Sequence, residues 1–171
     1  MSLVIILGVI KGVLGFHAMI KNGLDKPAAP SLWIGIPIVT LVAITIVRDT
    51  LGLIHHFHTS NIEAGGILFA ITGFFFALEI AIGFLGYAVM KKLNYFEEYI
   101  DGDKKDVATY GVICPGVAFF IFGMFFIHWG LVYNNVIEKY SIAHFAIIAI
   151  LAIVQFATVK TALKLNKKFG L

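Results

Sequence analysis

The stretch ICPGVAFFIFGMFF, residues 113–126, decides the fold class. It carries no charge and shows no alternation of polar and apolar side chains. With its flanks it extends an apolar run from about Val107 to Tyr133, longer than the roughly 20 residues that cross a bilayer as a helix. An open sheet cannot cross lipid, because its unpaired backbone groups find no partners there. The expectation is therefore an all-α integral membrane protein.

Four further segments have the same character, at about 3–22, 31–57, 62–90 and 141–163. Residues 1–171 then form a single transmembrane domain of five helices, built as proline-kinked hairpins. Composition agrees. The chain is 60% hydrophobic and 13% charged, where a soluble domain carries about a quarter charged residues. Its mean hydropathy is +0.93. The first segment lacks a basic leader and Lys11 interrupts it, so it reads as a mature helix rather than a signal peptide. The single cysteine, Cys114, excludes a disulfide framework within one chain.

The basic pI of about 9.0 does not point to nucleic acid, because the lysines flank apolar spans. Lys21, Lys26, Lys91, Lys92, Lys104 and Lys105 lie on one side. Lys160, Lys164, Lys167 and Lys168 end the chain on that same side, and the opposite loops carry only Lys139. The positive-inside rule makes the lysine-rich side cytoplasmic. The N-terminus is then outside and the C-terminus inside, in a bacterial inner membrane. The longest polar loop, KKLNYFEEYIDGDKKD at residues 91–106, is too short to be a domain.

A weak internal repeat joins the second and fourth segments. With Pro37 laid on Pro115, Gly52-Leu53 falls on Gly130-Leu131 without a gap. At nearly the same offset Glu79 falls on Gln155, and Lys91-Lys92 on Lys167-Lys168. Each proline lies about two turns into its segment, where it removes a donor and kinks the helix. The fourth segment also places Gly116, Gly123 and Gly130 at seven-residue spacing, on one stripe. Such a stripe lets helices approach closely or leaves room along a pore. Most of Phe119, Phe120, Phe122, Phe125 and Phe126 read as lipid-facing filler, with one or two able to plug a cavity.

Polarity concentrates in TIVRDTLGLIHHFH, residues 45–58. Arg48 lies roughly 26 Å along its helix from Ser31, at 1.5 Å per residue. A charge at the centre of a spanning helix costs about 2.5–3.5 kcal/mol on the lenient insertion scale. Arg48 reads either as an interfacial side chain that snorkels outward or as a fixed positive charge for an anion. It shares a face with Thr45, Gly52 and His55. Protonation of His55 would add to that charge in acid. Glu79 lies deep in the third segment, where it reads as structural, paired with Lys11 or a helix neighbour, or as proton-coupling. His55, His56, His58, His128 and His144 fall at one membrane depth on three helices. Histidines from different helices can clamp a haem iron, so these five are candidate ligands for haem b or a metal.

PSLWIGIPIV, residues 30–39, and DVATYGVICPGVAFFIFGMFF, residues 106–126, resemble segments of the tellurite-resistance/dicarboxylate transporter family. These are the TehA-like relatives of plant slow anion channels. The resemblance implies half of a ring of ten helices around a pore, matching the family's C-terminal half. The second and fourth segments would be pore-lining and the third and fifth outer. On that plan the anion path would pass Pro37, Pro115, Gly116, Phe119 and Phe120, and Arg48 with His55, read from the residues themselves, would lie at its outer end. Half a ring closes no pore, so the partner would be a second copy or another membrane subunit. The family's occluding phenylalanine has no secure match here.

Three function classes remain. The first is a TehA-like transporter or channel for small anions, in contact with lipid, without cofactor and without covalent chemistry. The second is a haem- or quinone-binding subunit of a redox complex, resting on the histidines. The third is a non-catalytic scaffold.

Overall fold

The computed structural model describes residues 6–8, 10, 12–15, 17, 21, 23–57 and 61–170, without the side chains at 57 and 61–63. All regular structure among the described residues is helical. Helices α1 (Gly35–Phe57), α2 (Asn61–Lys92), α3 (Ile113–Phe125) and α4 (Ile142–Phe169) run alternately up and down. Among the described residues, four helical spans are long and apolar enough to cross a membrane: Lys26–His56, Ala64–Lys92, Val107–Val132 and Ile142–Phe169. The expected first span, 3–22, falls in good part outside the described residues. Its described residues between Ile6 and Gly15 are helical.

Pro37 and Pro115 do not kink the middle of an α-helix. Each is the third residue of its α-helix, where the missing N–H would have no intrahelical partner anyway. In each case a 3₁₀ helix precedes it, Lys26–Trp33 or Val107–Val112. The prolines thus mark a change of helix type. The internal repeat holds at this point, since both α-helices begin two residues before the matched proline.

Helix ends follow local chemistry. Asn94 takes the left-handed conformation (φ 54°) and its N–H donates to the Lys91 carbonyl as α2 ends. Ser141 caps α4, its hydroxyl accepting from the His144 N–H at 3.2 Å. Gly170, at φ 79°, closes α4. α4 runs six residues past its expected end. At 28 residues it is roughly 42 Å long, against a hydrocarbon thickness of about 30 Å, so its last turns reach the polar zone.

α3 touches the other three helices. α1 packs on α2 and α3 and buries Ile36, Thr40, Ala43 and Val47, a stripe at helical spacing. α4 rests mainly on α3, and only Leu151 and Leu165 are buried along it. Beyond Val132 the fold reverses through a short turn into α4.

The lysine-rich end is closed by a compact cap. Tyr95, Tyr99 and Ile100, from the loop and π-turn after α2, bury against Ala29, Met90 and Val112. Tyr95 and Tyr99 stack at 4.8 Å. Glu98 sits between Lys104 at 2.6 Å and Lys26 at 2.8 Å. Hydrogen bonds from Lys104 and Lys26 hold its carboxyl down to about 2. Lys164 pairs with Asp101, and Lys168 donates to the Tyr99 carbonyl at 2.8 Å. The lysines read from sequence as orientation markers are, in part, structural ties.

Candidate functional site

Among the described residues, nothing covers the face of α1 opposite its packed stripe. Ile34, Ile38 and Leu41 are exposed in its lower half. Arg48 and His55 are exposed in its upper half, and Thr45 and Gly52 on the same line are half-buried. A side chain at Gly52 would meet nothing within 4 Å. These positions step by four and three residues, so they form one line along the helix. Among the described residues, neither Arg48 nor Asp49 has an ion-pair partner. The face expected to carry Arg48, Thr45, Gly52 and His55 together is present, open and polar in its upper half.

The other residues expected along an anion path lie elsewhere. Pro115, Gly116 and Phe119 line a cavity between α2, α3 and α4. Pro37 starts α1. Phe120 is half-buried. Phe119 stacks on Phe76 of α2 at 5.2 Å, and Phe126 stacks on the same ring at 5.0 Å. Phe119 is therefore one layer of an aromatic ladder between α2 and α3, and Phe76 is a member that sequence reasoning missed.

The glycine stripe splits. A Cβ at Gly116 would strike Thr158 of α4, and one at Gly123 would meet Leu151 at 2.7 Å. One at Gly130 would instead meet Thr72 of α2, also at 2.7 Å. The cause is the π-helical stretch Phe126–Val132, which continues α3. Its wider turn carries Gly130 off the line set by the α-helix. All three glycines stand where a neighbouring side chain comes close, and Gly116 also lines the cavity.

Glu79 is fully buried between α1 and α2. Its Oε1 lies 2.5 Å from the Thr40 hydroxyl, which also lies 3.0 Å from the Ile36 carbonyl. One hydroxyl proton cannot serve both acceptors. Both contacts are hydrogen bonds when the carboxyl is protonated and donates to Thr40. Glu79 Oε2 has no partner among the described residues. The expected alternative, a pair with Lys11, lies outside the described residues. Thr40 was not singled out from sequence, although its position one turn after Ile36 was visible.

His55 and His56 are exposed at the end of α1, and their rings meet edge to face at 5.9 Å. His128 is exposed beside Trp129, and His144 is half-buried with its Nδ1 unpartnered. His58 lies outside the described residues. Among the described residues no group of three or more His, Cys, Asp or Glu side chains converges as a metal site.

Among the described residues, the fold and site define an all-helical protein with four helical spans of membrane-crossing length and an open face on α1 that is polar in its upper half. Comparison with known protein families, characterised proteins and solved structures finds no match.

Proposed function

We propose that this chain is part of a membrane transporter or channel for small anions, TehA-like in plan, completed by a second copy or a partner subunit. The observation that supports this reading is the uncovered face of α1. An arginine on a lipid-facing surface is costly, so Arg48 calls for water, an anion or another subunit beside it. The matched positions on α3 add to the argument. Ile38 and Thr45 correspond to Gly116 and Gly123, which receive α4. On α1 the same positions receive no helix among the described residues. A helix from another subunit would cover the lower, apolar half and leave Arg48 and His55 beside an aqueous path. In this reading the lysine-rich end is cytoplasmic, the N-terminus lies outside, and the membrane is a bacterial inner membrane. Glu79 is the candidate for proton coupling.

The test is anion flux into liposomes containing the purified chain. A unit charge about 10 Å from an ion, at an effective dielectric of about 20, is worth roughly 1.7 kcal/mol. Arg48→Gln should therefore lower flux about tenfold while insertion and helicity stay unchanged. Undiminished flux in Arg48→Gln would remove the anion-path reading.

A further inference from the structure

A cavity of about 740 Å³ opens between α2 and α4 over the first turns of α3. Its volume lies within the range of roughly 300–1,000 Å³ that holds small ligands. Its floor and walls are apolar, with Ile80, Phe119, Val154 and Ala157 among them. Toward the lysine-rich end the lining changes to Trp33, Tyr87, Asp101, Lys160 and Lys164. Phe84 and Ala157, also in the lining, are exposed, so the cavity opens sideways, as a groove between two helices.

We propose that this groove binds an anionic phospholipid. Its acyl chain lies on Phe119 and Val154, and its head group meets Lys160. The polarity gradient matches such a molecule from end to end. Tyr87, exposed in the lining, marks the depth of the membrane interface, where aromatic rings with a polar edge settle, and head groups sit at that depth; Trp33 beside it donates its ring N–H to the Gly83 carbonyl at 3.0 Å. Lys164 is paired with Asp101, but Lys160, one turn earlier on the same face, has no ion-pair partner among the described residues. It is the positive charge left for an anion, at a site where basic pockets between spanning helices hold head groups. A second copy fits less well. Every copy inserts in the same direction, so its lysine-rich end would face Lys160 with like charge. This inference does not rest on the anion-transport reading.

Tryptophan fluorescence tests it, because the chain has only two tryptophans. Trp33 lines the groove, and Trp129 lies toward the far end of the α3 rod. In the Trp129→Phe variant, reconstituted in phosphatidylcholine vesicles, brominated phosphatidylglycerol should quench Trp33 with a relative affinity about fivefold above brominated phosphatidylcholine. Lys160→Gln on that background should bring the ratio near one and leave quenching by phosphatidylcholine in place. A ratio near one before the lysine is changed overturns the proposal, as does a raised ratio that survives Lys160→Gln. Quenching by a brominated fatty acid that phosphatidylglycerol fails to displace also overturns it, by assigning the groove to a different amphiphile. Should Trp129→Phe not fold, native mass spectrometry of the unaltered chain reads the same preference. Retained phosphatidylglycerol that Lys160→Gln loses supports the site, and equal retention by both chains refutes it.

Discussion

In the hairpin of α1 and α2, Thr40 reaches across to Glu79 at 2.5 Å. In the hairpin of α3 and α4, Gly116 and Gly123 admit the second helix against Thr158 and Leu151. The first seam is held by a buried polar contact and the second by close van der Waals packing. Lipid supplies no hydrophobic drive between helices, so these are the two main means available. The repeat makes the contrast sharper. Ala118 stands where Thr40 stands in the first hairpin. Gln155, matched to Glu79, therefore meets no such hydroxyl, and its Oε1 is buried without a partner. Similar sequence plans set similar helix starts, but one hydroxyl decides which seam is polar.

The largest effect should come from breaking the small-residue seam. Gly123→Leu places a branched side chain where a Cβ alone already meets Leu151 at 2.7 Å. Apart from the ties at its lysine-rich end, α4 has little else to hold it, with only Leu151 and Leu165 buried. Overpacking costs about 1–3 kcal/mol and occasionally more, and a whole leucine side chain set against Leu151 belongs at the upper end. Thermal unfolding in mild detergent should show a clear fall for Gly123→Leu. It should show almost none for Gly66→Ala, where an added Cβ meets nothing within 4 Å. Equal effects at both positions would mean that α4 is not seated on Gly123.

A smaller effect should separate the two matched polar residues. Thr40→Val leaves Glu79 buried without a partner on either oxygen, a loss of about 1–3 kcal/mol. Gln155→Leu removes an acceptor that has no partner, so it should be neutral or slightly stabilising. Unfolding free energies of the two variants, measured in the same detergent, check the sign of the difference. If Gln155→Leu costs as much as Thr40→Val, the seams are chemically alike and the contrast fails.

The spans at 62–90 and 107–133 were legible because apolar length is a property of one segment. The lysine-rich end was legible for the same reason. What pairs across helices was not. Glu79 was visible, but its partner depends on how α1 is rotated against α2, and nothing local to Thr40 reports that. The glycine stripe was read as one line because an α-helix was assumed throughout. The π-helical stretch that turns Gly130 toward α2 has no signature in FIHWGLV. The groove was invisible for a further reason. It lies between α2 and α4, and it exists because both helices rest on α3 without closing on each other.

The smallest expected effect concerns the cap, which ties the end of α4 to the rest of the chain and so bears on how independent the second hairpin is. Glu98 joins Lys26, in the 3₁₀ helix before α1, to Lys104, in the loop before α3. Its folded-state value of about 2 lies below the ordinary 4.5. A carboxylate depressed in this way contributes its full stabilisation above the unfolded value and loses it as pH falls toward the folded one. The tie should therefore be intact at neutral pH and weaken progressively between pH 4.5 and 2. The pairs are exposed, so screening keeps the effect modest. Backbone hydrogen exchange near the two ends of the cap should report it. Amides in Lys26–Trp33 and in the π-turn Phe96–Asp101 should exchange faster as pH falls through that window, after correction for the intrinsic rate. Amides around Thr40 and Glu79, held by the buried contact, should not follow. Glu98→Gln should reproduce the acid behaviour at neutral pH and flatten the remaining dependence. A cap that loosens just as much with acid in Glu98→Gln as in the parent would assign the titration to another group and leave the Lys26–Glu98–Lys104 bridge without a part in holding the hairpins together.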